Sequence, residues 1–248
     1  MQRLSVPLIG NILTLSLATV AMTLTSAYSA TAGTLDLNFT KLQGLTGGNS
    51  GMTGVYRADL SNLGFDISSI AITDSNSAIG GAPGKFTAFD FDAIKISNVL
   101  VNNATDAKNL SGLNVFDFTS SGTFFTPGTQ RSPVDPEPLF GVSGGGIIDN
   151  SLATLQNFDG NSTADANAFG FVSLGDGGTV VFNFKNPIST TSPLYLYIGE
   201  AGDNGETATG QITVSEKPRE VPEPTSLAAV SLLGIYFAVS RKKKTKAA

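Results

Sequence analysis

The chain contains no cysteine, no histidine and no tryptophan. Without His or Cys there is no Ser-His-Asp or Cys-His nucleophilic machinery. The usual zinc, haem and iron–sulfur ligand sets are missing as well. Hard cations held by oxygen, Ca²⁺ above all, stay open. The lack of disulfides does not confine the protein to the cytosol, because 248 residues are enough for a core that folds unaided. Basic charge is scarce and unevenly placed. Against 20 Asp+Glu stand 15 Lys+Arg, and six of these lie near the ends: Arg3, Arg241, Lys242, Lys243, Lys244 and Lys246. The acids all fall between Asp36 and Glu223, so the middle is strongly negative. Such a body lacks the basic face that nucleic acid requires.

Long apolar runs are confined to the two ends. Residues 1–32 read as a secretory signal peptide, with Arg3 as the positive region and an apolar stretch from Leu4 to Val20. Ala30-Thr31-Ala32 fits the small-residue cleavage rule before Gly33, with cleavage after Ala27 as second choice and a retained anchor as the alternative. At the other end Thr225 to Ser240 is uncharged. As a helix it would span about 24 Å, short of the roughly 30 Å hydrocarbon core. Snorkelling by Arg241 and Lys242 to Lys244 covers part of the deficit. That basic stop belongs on the cytoplasmic side, as does Arg3, which puts the middle of the chain outside.

Directly before the second apolar run stands Val221-Pro222-Glu223-Pro224-Thr225-Ser226. Pro222 and Pro224 hold this stretch extended and delay the helix. The order of parts, Pro-Glu-Pro motif, short apolar helix, basic cluster, resembles the PEP-CTERM sorting signal of bacterial exported proteins over residues 221–244. The resemblance implies an exosortase as partner, a membrane enzyme that recognises the motif and removes the helix. It also implies a surface or extracellular destination alongside exopolysaccharide. A second Pro-Glu-Pro, at Pro136-Glu137-Pro138, is followed by Gly144 to Gly146 rather than an apolar run, and is expected to be a chance copy in a loop spanning 120–150.

Residues 33–217 alternate short apolar runs with glycine-rich turns such as Gly47-Gly48-Asn49, Gly80-Gly81, Asp176-Gly177-Gly178 and Asp203-Asn204-Gly205. Strands are expected at 34–39, 179–184, 194–199 and 207–215, and one short helix at 151–158. In 86–101 Phe89 and Phe91 have one parity, Ile94 and Ile96 the other, so a bulge near Ala93 is needed to bury them together. The expected fold is all-β: a single antiparallel β-sandwich over 33–217, jelly-roll-like, between the signal peptide and a C-terminal sorting signal over 218–248 that consists of the Pro-Glu-Pro motif, a short transmembrane helix and the basic tail. Residues 169–216 are also similar to a module of secreted bacterial β-sandwich proteins, through Ser173 to Gly178, Gly199-Glu200 and Gln211 to Ser215.

Chemistry in the body rests on acids and two tyrosines. Glu200, Asp203, Asn204 and Glu206 crowd one glycine turn. Glu200, Asp203 and Glu206 are candidate Ca²⁺ ligands, although the spacing is not that of an EF-hand and a solvated acidic turn is the plainer reading. Asp90 and Asp92 are expected to face outward, opposite the Phe pair. Tyr195 and Tyr197 share one face of a strand, where they either stack on sugar rings or form an amphipathic belt. Two suitably spaced carboxylates would suffice for a glycosidase, and nothing in the sequence pairs them. The expectation is a non-enzymatic surface or matrix protein without an obligate cofactor; a Ca²⁺-dependent carbohydrate-binding adhesin is the alternative, and a polysaccharide hydrolase the more distant one.

Overall fold

The computed structural model describes residues 33–48, 52–162 and 165–215. The segments expected to be a signal peptide (1–32), a sorting motif (Val221–Ser226) and a membrane stop (Arg241–Lys244) lie outside the described residues. Among the described residues no helix is long and apolar enough to cross a membrane.

Two five-stranded antiparallel sheets make up the body. The first has the order β1(Thr34–Leu37), β12(Ala208–Ser215), β4(Asp66–Asp74), β10(Thr179–Ser189), β6(Thr123–Thr126). The second runs β2(Thr40–Lys41), β3(Thr53–Asp59), β11(Tyr195–Ala201), β5(Asp90–Ser97), β9(Val172–Ser173). A small ribbon, β7(Val142–Ser143) with β8(Ile147–Ile148), stands apart. The described residues also hold two short α-helices, α1(Ala104–Asn109) and α2(Asn150–Ala153), and two single 3-10 turns at Gly84–Phe86 and Asp165–Asn167. The helix expected at 151–158 is therefore one turn long, ended by Thr154 in the left-handed region. The loop expected at 120–150 contains β6, β7 and β8. Its Pro136–Pro138 stretch is irregular, and Glu137 there accepts a hydrogen bond from Lys85 Nζ at 2.8 Å.

Alternation along the strands builds the core. Val180, Phe182 and Phe184 of β10 face Ile67, Ile70 and Ile72 of β4 and Ile212 of β12 within one buried cluster. The second sheet adds Ala58, Phe91, Ile94, Ile96, Leu196 and Ile198 to the same cluster. Aromatic rings join the sheets: Phe91 and Phe182 have centroids 5.4 Å apart, and Phe116 meets Phe182 and Phe184 edge-on at 5.8 and 5.2 Å. The bulge sits where parity demands it. Ile198 pairs with Ile94 and Glu200 with Phe91, so Asp92 and Ala93 together oppose Gly199. Phe91 and Ile94 thereby enter the same core while Ala93 turns to the other face. β10 has its own break between Asn183 and Ile188, a stretch that includes Pro187, which has no N–H to give the ladder.

The outer face of the second sheet is covered as well. Leu42, Val55, Ala93, Tyr197 and Phe158 form a second buried cluster with Ala104 and Ala107 of α1. The Asn103 side chain caps α1 by accepting from the Asp106 N–H at 2.8 Å. In the edge strand β1, Leu37 packs against the core but Leu35 is 40% exposed, so the full alternating face expected at 34–39 is realised only at its second half. Phe39 follows it inward, and its ring takes the space a side chain at Gly210 would need.

Candidate functional site: a buried carboxylate pair at one end of the sandwich

Leu194, Leu196 and Ile198 face the space between the sheets, and Glu200 continues their parity. Its register partners are Phe91 on one side and Gly54 on the other. A charged side chain thus ends an apolar row, and it is fully buried. The chain then turns through Gly202, Asp203 and Gly205, all in the left-handed region, and crosses from the second sheet to the first. Glu206 comes just before β12 and is 1% exposed. The turn brings the two carboxyl groups within hydrogen-bonding reach of each other, and Glu206 carries the field of Glu200.

A strap closes over them. Gly80 and Gly81 have φ of +75° and +70°. A Cβ on Gly81 would lie 1.8 Å from Glu206 Oε1, and one on Gly80 would lie 2.6 Å from the Glu206 nitrogen. Two glycines are therefore needed both for the backbone conformation and for the close approach. Arg131 ties the strap down. Its Nη1 donates to the Gly80 carbonyl, while Nε and Nη2 fork onto Asp176 at 2.6–3.0 Å.

Hydrogen bonding separates this pair from Asp74 and Asp90, also buried. Asp74 accepts from the N–H groups of Asn76, Gly177 and Phe89. Asp90 accepts from the Ser173 hydroxyl, and its N–H donates to Glu206 Oε2 at 3.2 Å. Both oxygens of Glu200 and Oε1 of Glu206 lack a well-formed hydrogen bond, although the two carboxyl groups lie within reach of each other and the Asp203 N–H acts on Glu200. Burial drives both glutamates well above the usual carboxylate range, and neighbouring negative charge adds to it, from Asp90 and Glu200 on Glu206 and from Asp203 on Glu200. Tyr56 stands beside them, pushed up to about 12 by burial and by the charges of Glu200, Asp203 and Glu206. Tyr56 also lines an open cleft of about 250 Å³, with Phe39, Lys41, Phe89, Ile198, Thr207 and Ala208; neither glutamate lines it.

The three residues expected as a Ca²⁺ set separate into two plus one. Glu200 and Glu206 converge, whereas Asp203 turns to an ion pair with Lys41. Among the described residues no three acidic side chains converge as a ligand set. The picture of a solvated acidic turn is corrected too, since the turn lies at the junction between the sheets and only Asn204 and Gly205 stay exposed. Asp90 and Asp92 face away from the Phe pair but are buried, because loops 140–141 and 158–160 and strand β9 cover that side. Asp92 Oδ1 accepts from the N–H groups of Gly160 at 3.0 Å and Asp159 at 3.3 Å; Oδ2 meets no donor. Burial, with Asp159 nearby, pushes Asp92 up to about 8.

The tyrosine platform is likewise corrected. Tyr197 is wholly buried under α1 and the 99–102 segment; its hydroxyl donates to Val99 O at 2.8 Å and accepts from Val101 N–H at 3.0 Å. Tyr195 is half-buried at the margin of the same cluster. The shared face is real, but it packs against protein. Gly80-Gly81, Tyr56 and Asp90, which complete the surroundings of the acid pair, were not singled out as site residues in the sequence; the consecutive glycines were the one visible signal.

Comparison with known protein families, with curated proteins and with solved structures gives no match.

Proposed function

We propose that the chain is an exported, surface-sorted β-sandwich protein without catalytic activity, a structural component of the cell envelope or of an exopolysaccharide matrix. The observation that carries this reading is the order of parts at the C-terminus: Val221–Ser226, the uncharged run to Ser240, then Arg241–Lys244. An exosortase would grip the extended motif, and the helix would hold the chain in the inner membrane until it is removed. The body supports the reading in a limited way. Its closely placed glutamates are sealed from solvent, whereas a glycosidase needs its carboxylates open to a sugar and to water. The strands from β1, β3, β4 and β5 through β9 to β12 pass repeatedly between the two sheets, which favours a jelly-roll description.

Intact mass of the protein recovered from the envelope tests the sorting. Loss of the segment from Thr225 onward is expected; a chain that retains it through Ala248 refutes cleavage. Replacing Pro222, Glu223 and Pro224 with alanine should stop processing and leave export intact. The adhesin alternative draws on the buried glutamate pair alone, since Tyr195 and Tyr197 offer no open platform. Calcium-dependent co-sedimentation with the producing cell's exopolysaccharide would favour it over a passive structural role.

A further inference from the structure

Three carboxylate oxygens, two from Glu200 and one from Glu206, lie in one buried place without a well-formed hydrogen bond; the Asp203 N–H acts on Glu200 from the turn. The neighbouring charges relieve them only in part: Asp90 and Asp203 are acids, and the two cations that act on the pair, Lys41 on Glu200 and Arg131 on Glu206, are engaged by Asp203 and Asp176. Two adjacent carboxylates in a low-dielectric interior cannot both stay ionised uncompensated. One shared proton would form a single hydrogen bond between the two groups and satisfy at most two of the three oxygens. A cation can touch all three.

We propose that Glu200 and Glu206 form a two-carboxylate site for a hard divalent cation, with Ca²⁺ as the ion that fits. Glu200 presents both oxygens and Glu206 one, a mixture of bidentate and monodentate carboxylates that Ca²⁺ accepts and that the strict octahedron of Mg²⁺ does not. Ca²⁺ takes six to eight oxygens, so the remaining positions fall to water carried in with the ion. The Gly80–Gly81 strap, fixed by Arg131, shields the site from bulk solvent on the Glu206 side. The ion links the last strand of one sheet to the last strand of the other, at the turn where the chain passes between them. This inference does not depend on surface sorting; either can fail alone.

The test uses the full chain, stripped of metal with EDTA and titrated with CaCl₂ or MgCl₂ near pH 7.5. At a hundredfold excess of Ca²⁺ over its dissociation constant, the melting temperature should rise by about 5–10 °C. Mg²⁺ should do much less. The Glu200→Gln, Glu206→Gln double variant keeps the shape and loses the rise. A rise of equal size in that variant, or no rise in the parent, overturns the proposal and leaves a proton as the shared ion. A second readout does not need that variant to fold. The chain lacks tryptophan, so Tb³⁺ luminescence excited through the protein must come from tyrosine, and Tyr56 adjoins the pair. Tb³⁺ emission should be displaced by Ca²⁺ and should disappear in Tyr56→Phe; emission that survives this change would place the ion elsewhere.

Discussion

Asp92 offers a sharp test of how burial governs this body. It is fully buried, two backbone N–H groups hold one oxygen, and the other meets no donor. Its folded-state pKa of about 8 lies far above the ordinary 3.8. Between these values the folded chain holds a proton that the unfolded chain has released. Stability from this group is therefore fully present below about pH 4, falls as pH rises, and is gone above about pH 8. The slope is about 1.4 kcal/mol per pH unit for one proton. From pH 5 to pH 7.5 the loss amounts to roughly 3 kcal/mol, a large share of a typical domain's stability. In Asp92→Asn the Oδ1 contacts to Asp159 and Gly160 survive and the titration vanishes. Asp90, Glu200 and Glu206 titrate in the same sense, but they are present in both chains and drop out of the difference. Urea unfolding of the two proteins at several pH values, with EDTA held constant, should give curves that run together at low pH, where protonated Asp92 resembles the amide, and part as pH rises and the parent alone loses stability. Lys95 and Asp159, the charged neighbours of Asp92, are also common to both. Parallel curves would refute the reasoning and show that Asp92 stays ionised in the folded state.

Gly81→Ala should destabilise the protein by about 2–4 kcal/mol by denaturant unfolding, because the new Cβ meets Glu206 Oε1 in a conformation that also disfavours it. Gly144→Ala, with open space around it, should change stability by less than about 0.5 kcal/mol. Phe182→Ala removes the ring that touches Phe91, Phe116 and Phe118 and should cost about 3–5 kcal/mol in the same assay. Tyr197→Phe leaves Val99 O and Val101 N–H without their partner, for an expected loss of about 1–3 kcal/mol.

The fold was legible where one physical rule acted alone. Strict alternation in 179–184 and 194–198 named the core residues, and the parity change between Phe91 and Ile94 announced the bulge. What the sequence hid was the second covered face. Alternation distinguishes two sides of a strand but cannot say that both are buried, and for that reason it puts Tyr197, Asp90 and Asp92 on the outward side. Only the packing of α1 and the 158–160 loop onto the second sheet, a contact between distant segments, reverses it. The acid site was half legible. Spacing placed Glu200 and Glu206 at one turn, yet the inward parity of Glu200 was the clue that its charge ends up between the sheets. Asp203, three residues further along, escapes to Lys41 because the left-handed turn aims it outward.

The first and last strands of the body are hydrogen-bonded neighbours, with Thr34 opposite Thr213. The chain therefore enters and leaves at the same end, while Glu206 lies at the far end, about 25 Å away along β12 at some 3.4 Å per residue. A pull applied beyond Ser215 acts along β12, which is clamped between β1 on one side and β4 on the other. Antiparallel ladder bonds stand perpendicular to that pull, so two rows of them resist together in shear instead of unzipping one at a time. A body tethered in this way would bear load through its last strand and hold its acidic end outermost.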